Sequence, residues 1–202
     1  MILNKVSKKE IKMEKLMNNI EVYGIDESIK ASKYPMSTNI SLLNSDVTDT
    51  VKSLGAAPAG SGHDNFLNGI IVQFDLTFSL KAWTEMQRYH FIDFVSSQST
   101  MHRICKFDIG KQCNEYVAPS IVTVVDELVR NYNENPTPDN YLKVLYNIPV
   151  GFRLTARMTT NYRQLKTIYN QRLTHRLPEW RAFCKQLEEL PLFMDLCFNK
   201  SV

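Results

Sequence analysis

The sequence predicts an α+β fold, with a small mixed or antiparallel sheet packed against helices. Two observations carry this. Residues 70–78 and 150–158 each alternate apolar with polar at the period of a half-buried strand. The stretches that follow each of them place apolar residues at helical spacing instead.

Taken in chain order, residues 1–20 are lysine-rich, with Ile11, Leu16 and Met17 loosely spaced, and read as an N-terminal arm or helix. Asn19–Ile25 reads as a short strand. Asp26 suits the N-cap of a helix over 27–33 that stops before Pro35. Residues 35–48 are rich in Ser and Asn and read as a loop, 49–54 as a helical turn, and the small residues 56–62 as a connector. Ile70, Val72, Phe74, Leu76 and Phe78 then line one face of the first clear strand. Ser79 caps a helix that turns Ala82, Met86 and Tyr89 or His90 to one side. Residues 93–103 are polar and hydroxyl-rich and read as a loop. Residues 120–133 form an amphipathic helix with Val124, Val125, Leu128 and Val129 inward. Asp139 caps the next, to about Tyr146. The second strand carries Val150, Phe152, Leu154, Ala156 and Met158 on one face, so Arg153 and Arg157 share the other. Thr159 or Thr160 caps a long helix over 161–174. A last helix runs from Pro178, at the favoured first position, to about Glu189, and Pro191 ends it.

Composition narrows the function classes. At 202 residues the chain has room for one well-buried core, and 21–202 reads as a single domain behind the 1–20 arm. Hydrophobic residues at 44% and charged residues at 22% argue against wholesale disorder. A net charge of +3 is too small to require nucleic acid, and suits a small anionic ligand. No apolar run reaches the roughly eighteen residues of a membrane span. Lys5, Lys8, Lys9 and Lys12 precede no apolar core segment, so no secretory signal is expected and a cytoplasmic location is. Cys105, Cys113, Cys184 and Cys197 contain no Cys-x-x-Cys pair, so free thiols are expected and no metal site is.

Three groups of residues carry candidate chemistry. Arg153, Arg157, Arg163 and Arg172, with Asn161 and Gln171 among them, form one. The guanidinium fork donates paired hydrogen bonds to phosphate or to a pyrimidine edge. A solvated helix face is the alternative for Arg163 and Arg172. The second group is Gln87-Arg88-Tyr89-His90, followed by Ser96, Ser97, Gln98, Ser99 and Thr100 and then His102-Arg103. Hydroxyls and amides flanked by cations suit an anion. The third is Gly62-His63-Asp64. No Gly-x-Gly-x-x-Gly loop, Walker loop or Gly-x-Ser-x-Gly elbow is present.

Taken together these segments resemble the flavin-dependent thymidylate synthases, over roughly residues 22–190. His63 precedes the 70–78 strand, and Arg88-Tyr89-His90 stands where that family has an Arg-His-Arg signature. Ile148-Pro149, the strand to Met158, Asn161-Tyr162-Arg163, Gln171-Arg172 and Thr174-His175 follow the family's C-terminal pattern, with no gap from Pro149 to Arg172. The resemblance implies FAD held by His63, Arg88, His90, Asn161 and Arg163. It implies a pyrimidine nucleotide, dUMP, met by Ser99, Arg103 and Arg172, with Arg172 catalytic through stabilising charge at C5. Methylenetetrahydrofolate and NADPH are the implied co-substrates, a homotetramer the implied assembly, and the protein supplies orientation and electrostatics. The signature departs from the family at several positions. Tyr89 replaces its central His and His90 its second Arg, while Glu85 stands for a neutral amide and Leu145 for a phosphate-binding Arg. These departures keep two alternatives open: C5 modification of a different pyrimidine nucleotide, or a non-catalytic homologue acting as a binding protein.

Overall fold

The computed structural model describes residues 15–200. Strands β1 (Met17–Tyr23), β2 (Ile71–Ser79), β3 (Ile92–Ser97) and β4 (Arg153–Asn161) form one four-stranded antiparallel sheet in the order β1-β2-β4-β3. The helices are α1 (Ile25–Ser32), α2 (Asp49–Ala56), α3 (Leu80–Met86), α4 (Thr100–Arg103), α5 (Ile109–Gln112), α6 (Pro119–Glu134), α7 (Pro138–Tyr146), α8 (Tyr162–Arg172), α9 (Pro178–Leu187) and α10 (Phe193–Phe198). The architecture is α+β, as the two alternating segments predict.

One face of the sheet builds the main core. Val72, Phe74, Leu76 and Phe78 are wholly buried there with Met158 and, across the pair, Ala156. Helix α9 lies against them. Phe78 meets Trp180 edge-on at 5.0 Å between centroids and Phe183 at 5.7 Å. Burying each such ring stabilises the fold by about 2–3 kcal/mol. The opposite face is polar. Thr77 and Thr155 share a hydrogen bond of 2.7 Å. Arg157 pairs with Asp75 at 3.4 Å and Glu21 at 3.6 Å, and donates to the Asn19 carbonyl. Arg157 is thus answered by strand neighbours. A second, smaller core of Ile104, Ile109, Cys113, Val125, Val144 and Phe152 sits under α4–α7.

Several expectations at element ends are corrected. Residues 93–97 belong to a strand. The hydroxyl-rich composition masks β3 because it is an edge strand, with a register shift between Phe94 and Ser96 and most of its residues exposed. The first strand begins two residues earlier than expected, at Met17, whose side chain is buried. Of the 1–20 arm, residues 1–14 lie outside the described residues. Gly24, in the left-handed region at φ 76°, precedes α1 in place of an Asp26 cap, because a Cβ there would stand 2.5 Å from the Gly69 carbonyl oxygen. Thr137, not Asp139, caps α7, and Asn161, rather than a threonine, caps α8 by accepting from the Gln164 amide. Ser79 caps α3 as expected. Val124 is 51% exposed, so α6 turns inward only Val125, with Val122, Leu128 and Val129 beside it. After Pro191 the chain forms a further short helix, α10, whose Phe193, Met194, Leu196 and Cys197 are buried.

Candidate cleft beside helix α8

Helix α8 begins as β4 ends, so its first turn stands at the margin of the sheet. A cleft of about 860 Å³ opens there, lined by Ala56–Ala59, Asp64, Phe91, Asn161, Arg163, Lys166 and Gln171 among others. Its volume lies in the range of cofactor pockets, roughly 300–1,000 Å³.

The charge of the cleft is set by one buried carboxylate. Asp64 is 1% exposed and lies in the 3-10 turn His63–Gly69. Its Oδ1 accepts from Arg163 Nε at 3.0 Å and its Oδ2 from Lys166 Nζ at 3.2 Å. Two cations against one carboxylate leave one positive charge in excess. Lys166 is itself buried and donates to the carbonyls of Gly55, at 2.7 Å, and Ala57, at 2.6 Å. It therefore pins the small-residue wall 56–59 to α8. Phe91 adds an aromatic ring to the cleft wall. It adopts the left-handed φ of 60°, its carbonyl accepts from the Thr160 hydroxyl at 2.7 Å, and it is 72% exposed.

Arg172, at the end of α8, is enclosed by the chain itself. It is 8% exposed. Its Nε donates to the Tyr89 hydroxyl at 2.6 Å, and both terminal nitrogens stand 3.5 Å from Glu85 Oε2. Its carbon Cζ lies 4.8 Å from the Trp180 ring centroid and 5.3 Å from that of Tyr89, a double cation–π arrangement. Burial alone would raise Glu85. Arg88, Lys81 and Arg172 outweigh it and hold the carboxyl below its ordinary value. Burial, with Arg172 beside it, pushes His175 down, and its Nδ1 accepts from the Leu177 amide. Both the burial and the neighbouring guanidinium disfavour the charged imidazole.

The cleft brings together two of the predicted site residues, Asn161 and Arg163. His63 is exposed, one residue before Asp64. Arg88 is exposed and 3.6 Å from Glu85, which joins it to the Arg172 cluster. His90 is exposed, with its ring 6.4 Å from that of Phe91. Ser99 precedes α4 and Arg103 ends it. Tyr141 of α7 donates to the Thr100 and Met101 carbonyls there, so this pair belongs with the helical lobe and does not line the α8 cleft. Sequence reasoning named Asp64 beside His63 but missed Lys166 and the pairing of the two. The signal available was Lys166 one turn beyond Arg163, on the same helix face.

No known protein-family model matches the chain, and no curated protein matches its sequence. Solved structures do. A crystal structure of thymidylate synthase X from Helicobacter pylori with FAD and dUMP superposes with a TM-score of 0.70 at 14% identity, over 90% of this chain and 97% of that one. A second structure of that organism's flavin-dependent thymidylate synthase, complexed with FAD and dUMP, gives 0.67 at 13% identity, over 88% and 95%. Similarity at this identity is one of fold, and it extends over nearly the whole of both structures. Among the described residues, no helix is long and apolar enough to cross a membrane.

Proposed function

We propose that this chain is a flavoprotein of the thymidylate-synthase type, holding FAD in the α8 cleft and acting at C5 of a pyrimidine nucleotide, with dUMP the first candidate. The observation that carries the reading is the cleft itself. It is of cofactor size, carries one excess positive charge, and lies in a fold whose solved examples hold FAD and dUMP. The residues fit the group. Asp64 occupies only Nε of Arg163, whose terminal nitrogens suit a diphosphate oxygen. Asn161 and the first turn of α8 add polar groups, Phe91 an aromatic face, and Ala56–Ala59 a wall that a ligand can approach closely. His63, Arg88 and His90 are the further cofactor contacts in this reading, and Ser99 and Arg103 meet the nucleotide phosphate. Flavin, when bound, supplies hydride transfer. Methylenetetrahydrofolate and NADPH are the co-substrates, and a cytoplasmic homotetramer is the working assembly.

One observation favours a second reading, a nucleotide-binding homologue without thymidylate synthesis. Arg172, the intended pyrimidine contact, is occupied by Glu85, Tyr89 and Trp180. Purified protein separates the readings. Flavin absorbance with release of the C5 proton from labelled dUMP supports thymidylate chemistry. Flavin binding with inert dUMP and turnover of another pyrimidine nucleotide moves the substrate. A protein that takes up no FAD overturns the flavin reading.

A further inference from the structure

Gln171 lines the cleft one residue before the enclosed Arg172. Its amide is part of a hydrogen-bond chain whose direction is fixed from the far end. An arginine only donates. Arg172 Nε donates to the Tyr89 oxygen at 2.6 Å, so that oxygen is an acceptor toward it. Tyr89 has a single hydroxyl proton, and the acceptor it meets is Gln171 Oε1, at 3.0 Å. Arg172 is itself held by Glu85 and by the faces of two rings, so the start of the chain cannot rotate away. Turning the amide over would place its NH2 on the remaining lone pair of the Tyr89 oxygen and hand the hydroxyl proton to solvent, so the arrangement seen keeps the hydroxyl-to-carbonyl bond that the turned one gives up. The carbonyl of Gln171 is thereby committed to Tyr89, and its two N–H donors remain for other partners.

We propose that Gln171 is a specificity-determining donor of fixed polarity in the cleft. It selects a ligand that presents a carbonyl oxygen or an unprotonated ring nitrogen, and disfavours one that presents an N–H. Tyr89 is the positioning residue that keeps the amide in this orientation, and Arg172 acts through Tyr89. The inference rests on the cleft being the flavin pocket, since an oxidised flavin ring offers such acceptors.

Titration of the full chain with FAD, followed by quenching of flavin fluorescence, tests it. Gln171→Glu preserves an acceptor for Tyr89 and removes the donor. Gln171→Met removes the donor without adding charge. Each is expected to weaken FAD binding about tenfold, the equivalent of one lost hydrogen bond. Tyr89→Phe frees the amide to turn and weakens binding by a smaller factor, about threefold. Far-ultraviolet circular dichroism establishes that each variant is folded. Unchanged affinity in Gln171→Met, with loss only in Gln171→Glu, makes the effect one of charge and overturns the assignment while leaving the flavin reading intact. No FAD binding by the unaltered chain overturns both.

Discussion

Arg172 is the residue whose environment departs furthest from an open ligand-binding guanidinium. Its charge is answered by Glu85, its Nε by Tyr89, and its faces by two aromatic rings. Arg172→Ala removes all of these at once. It is expected to destabilise the fold by about 3 kcal/mol in urea melts, through the lost ring contacts and the stranded partners. Under the thymidylate reading it also abolishes turnover while bound flavin is retained, and full activity in this variant would falsify its catalytic role. His175, beside it, gives a pH signature. Its folded pKa is lowered by burial and then by Arg172, so the unfolded chain binds the proton more readily. The contribution is therefore full above the ordinary value of 6.5 and is lost as pH falls through the lower folded-state value. Thermal melts should show a midpoint that falls as pH drops below 6.5, and His175→Gln should flatten that slope. At this scale the sequence was half legible. Asn161 and Arg163, named from the arginine-rich segment and the resemblance, both line the cleft. The enclosure of Arg172 was not legible, because it depends on Trp180 arriving from α9. Glu85 and Tyr89 were visible only as departures from a pattern.

At the scale of elements, the joint between α8 and the 55–57 segment decides whether the cleft has a wall. Lys166 Nζ satisfies two backbone carbonyls and half of Asp64 from a nearly buried position. Lys166→Met keeps the stem and removes the charge. It leaves Asp64 with Arg163 alone and orphans two carbonyls, at an expected cost of about 3 kcal/mol in denaturant unfolding. The same change frees Ala56–Ala59, so FAD affinity should fall more than the loss of one positive charge explains. Retained stability would mean that the segment is held by α2 and α10 instead. The packing of α2 on α10 is close enough at Gly55 that an added Cβ would lie 2.0 Å from the Leu196 carbonyl oxygen. The longer helices α6, α7, α8 and α9 and the two central strands were legible because their periodicity is long, while the short α4, α5 and α10 and the identity of several caps were not. Nor was the edge strand β3. Its pairing partner is β4, more than fifty residues away in sequence, and its exposed residues carry no burial pattern.

On the scale of the whole molecule, the described residues form two cores of unequal size. The sheet face with α8, α9 and α10 forms the larger one, and Ile104, Ile109, Cys113, Val125, Val144 and Phe152 form the smaller beneath α4–α7. The two meet where β4 begins. There the Leu80 amide donates to the Phe152 carbonyl at 2.9 Å, Lys81 to Val150 at 2.9 Å, Asn114 to Gly151 at 3.0 Å, and the Gln112 side chain to Arg153 at 2.8 Å. Gly151 lies within this seam, where an added Cβ would come within 2.4 Å of the Val117 side chain, so the chain is closely packed at the joint. Local opening free energy scales with the apolar surface a unit buries, so the smaller core should open without the larger. Native-state hydrogen exchange is expected to separate them. Amides of α6 and α7 should exchange through an opening cheaper than global unfolding, by at least about 2 kcal/mol, while amides of β2, β4 and α8 exchange only with the whole molecule. Ser99 and Arg103, which sit with the helical lobe, would then be presented by the less stable of the two units. Addition of dUMP should slow exchange in α4, α6 and α7 if these residues grip its phosphate. Identical opening energies in both units would make the molecule a single cooperative body, and the seam at Gly151 a joint that does not bend.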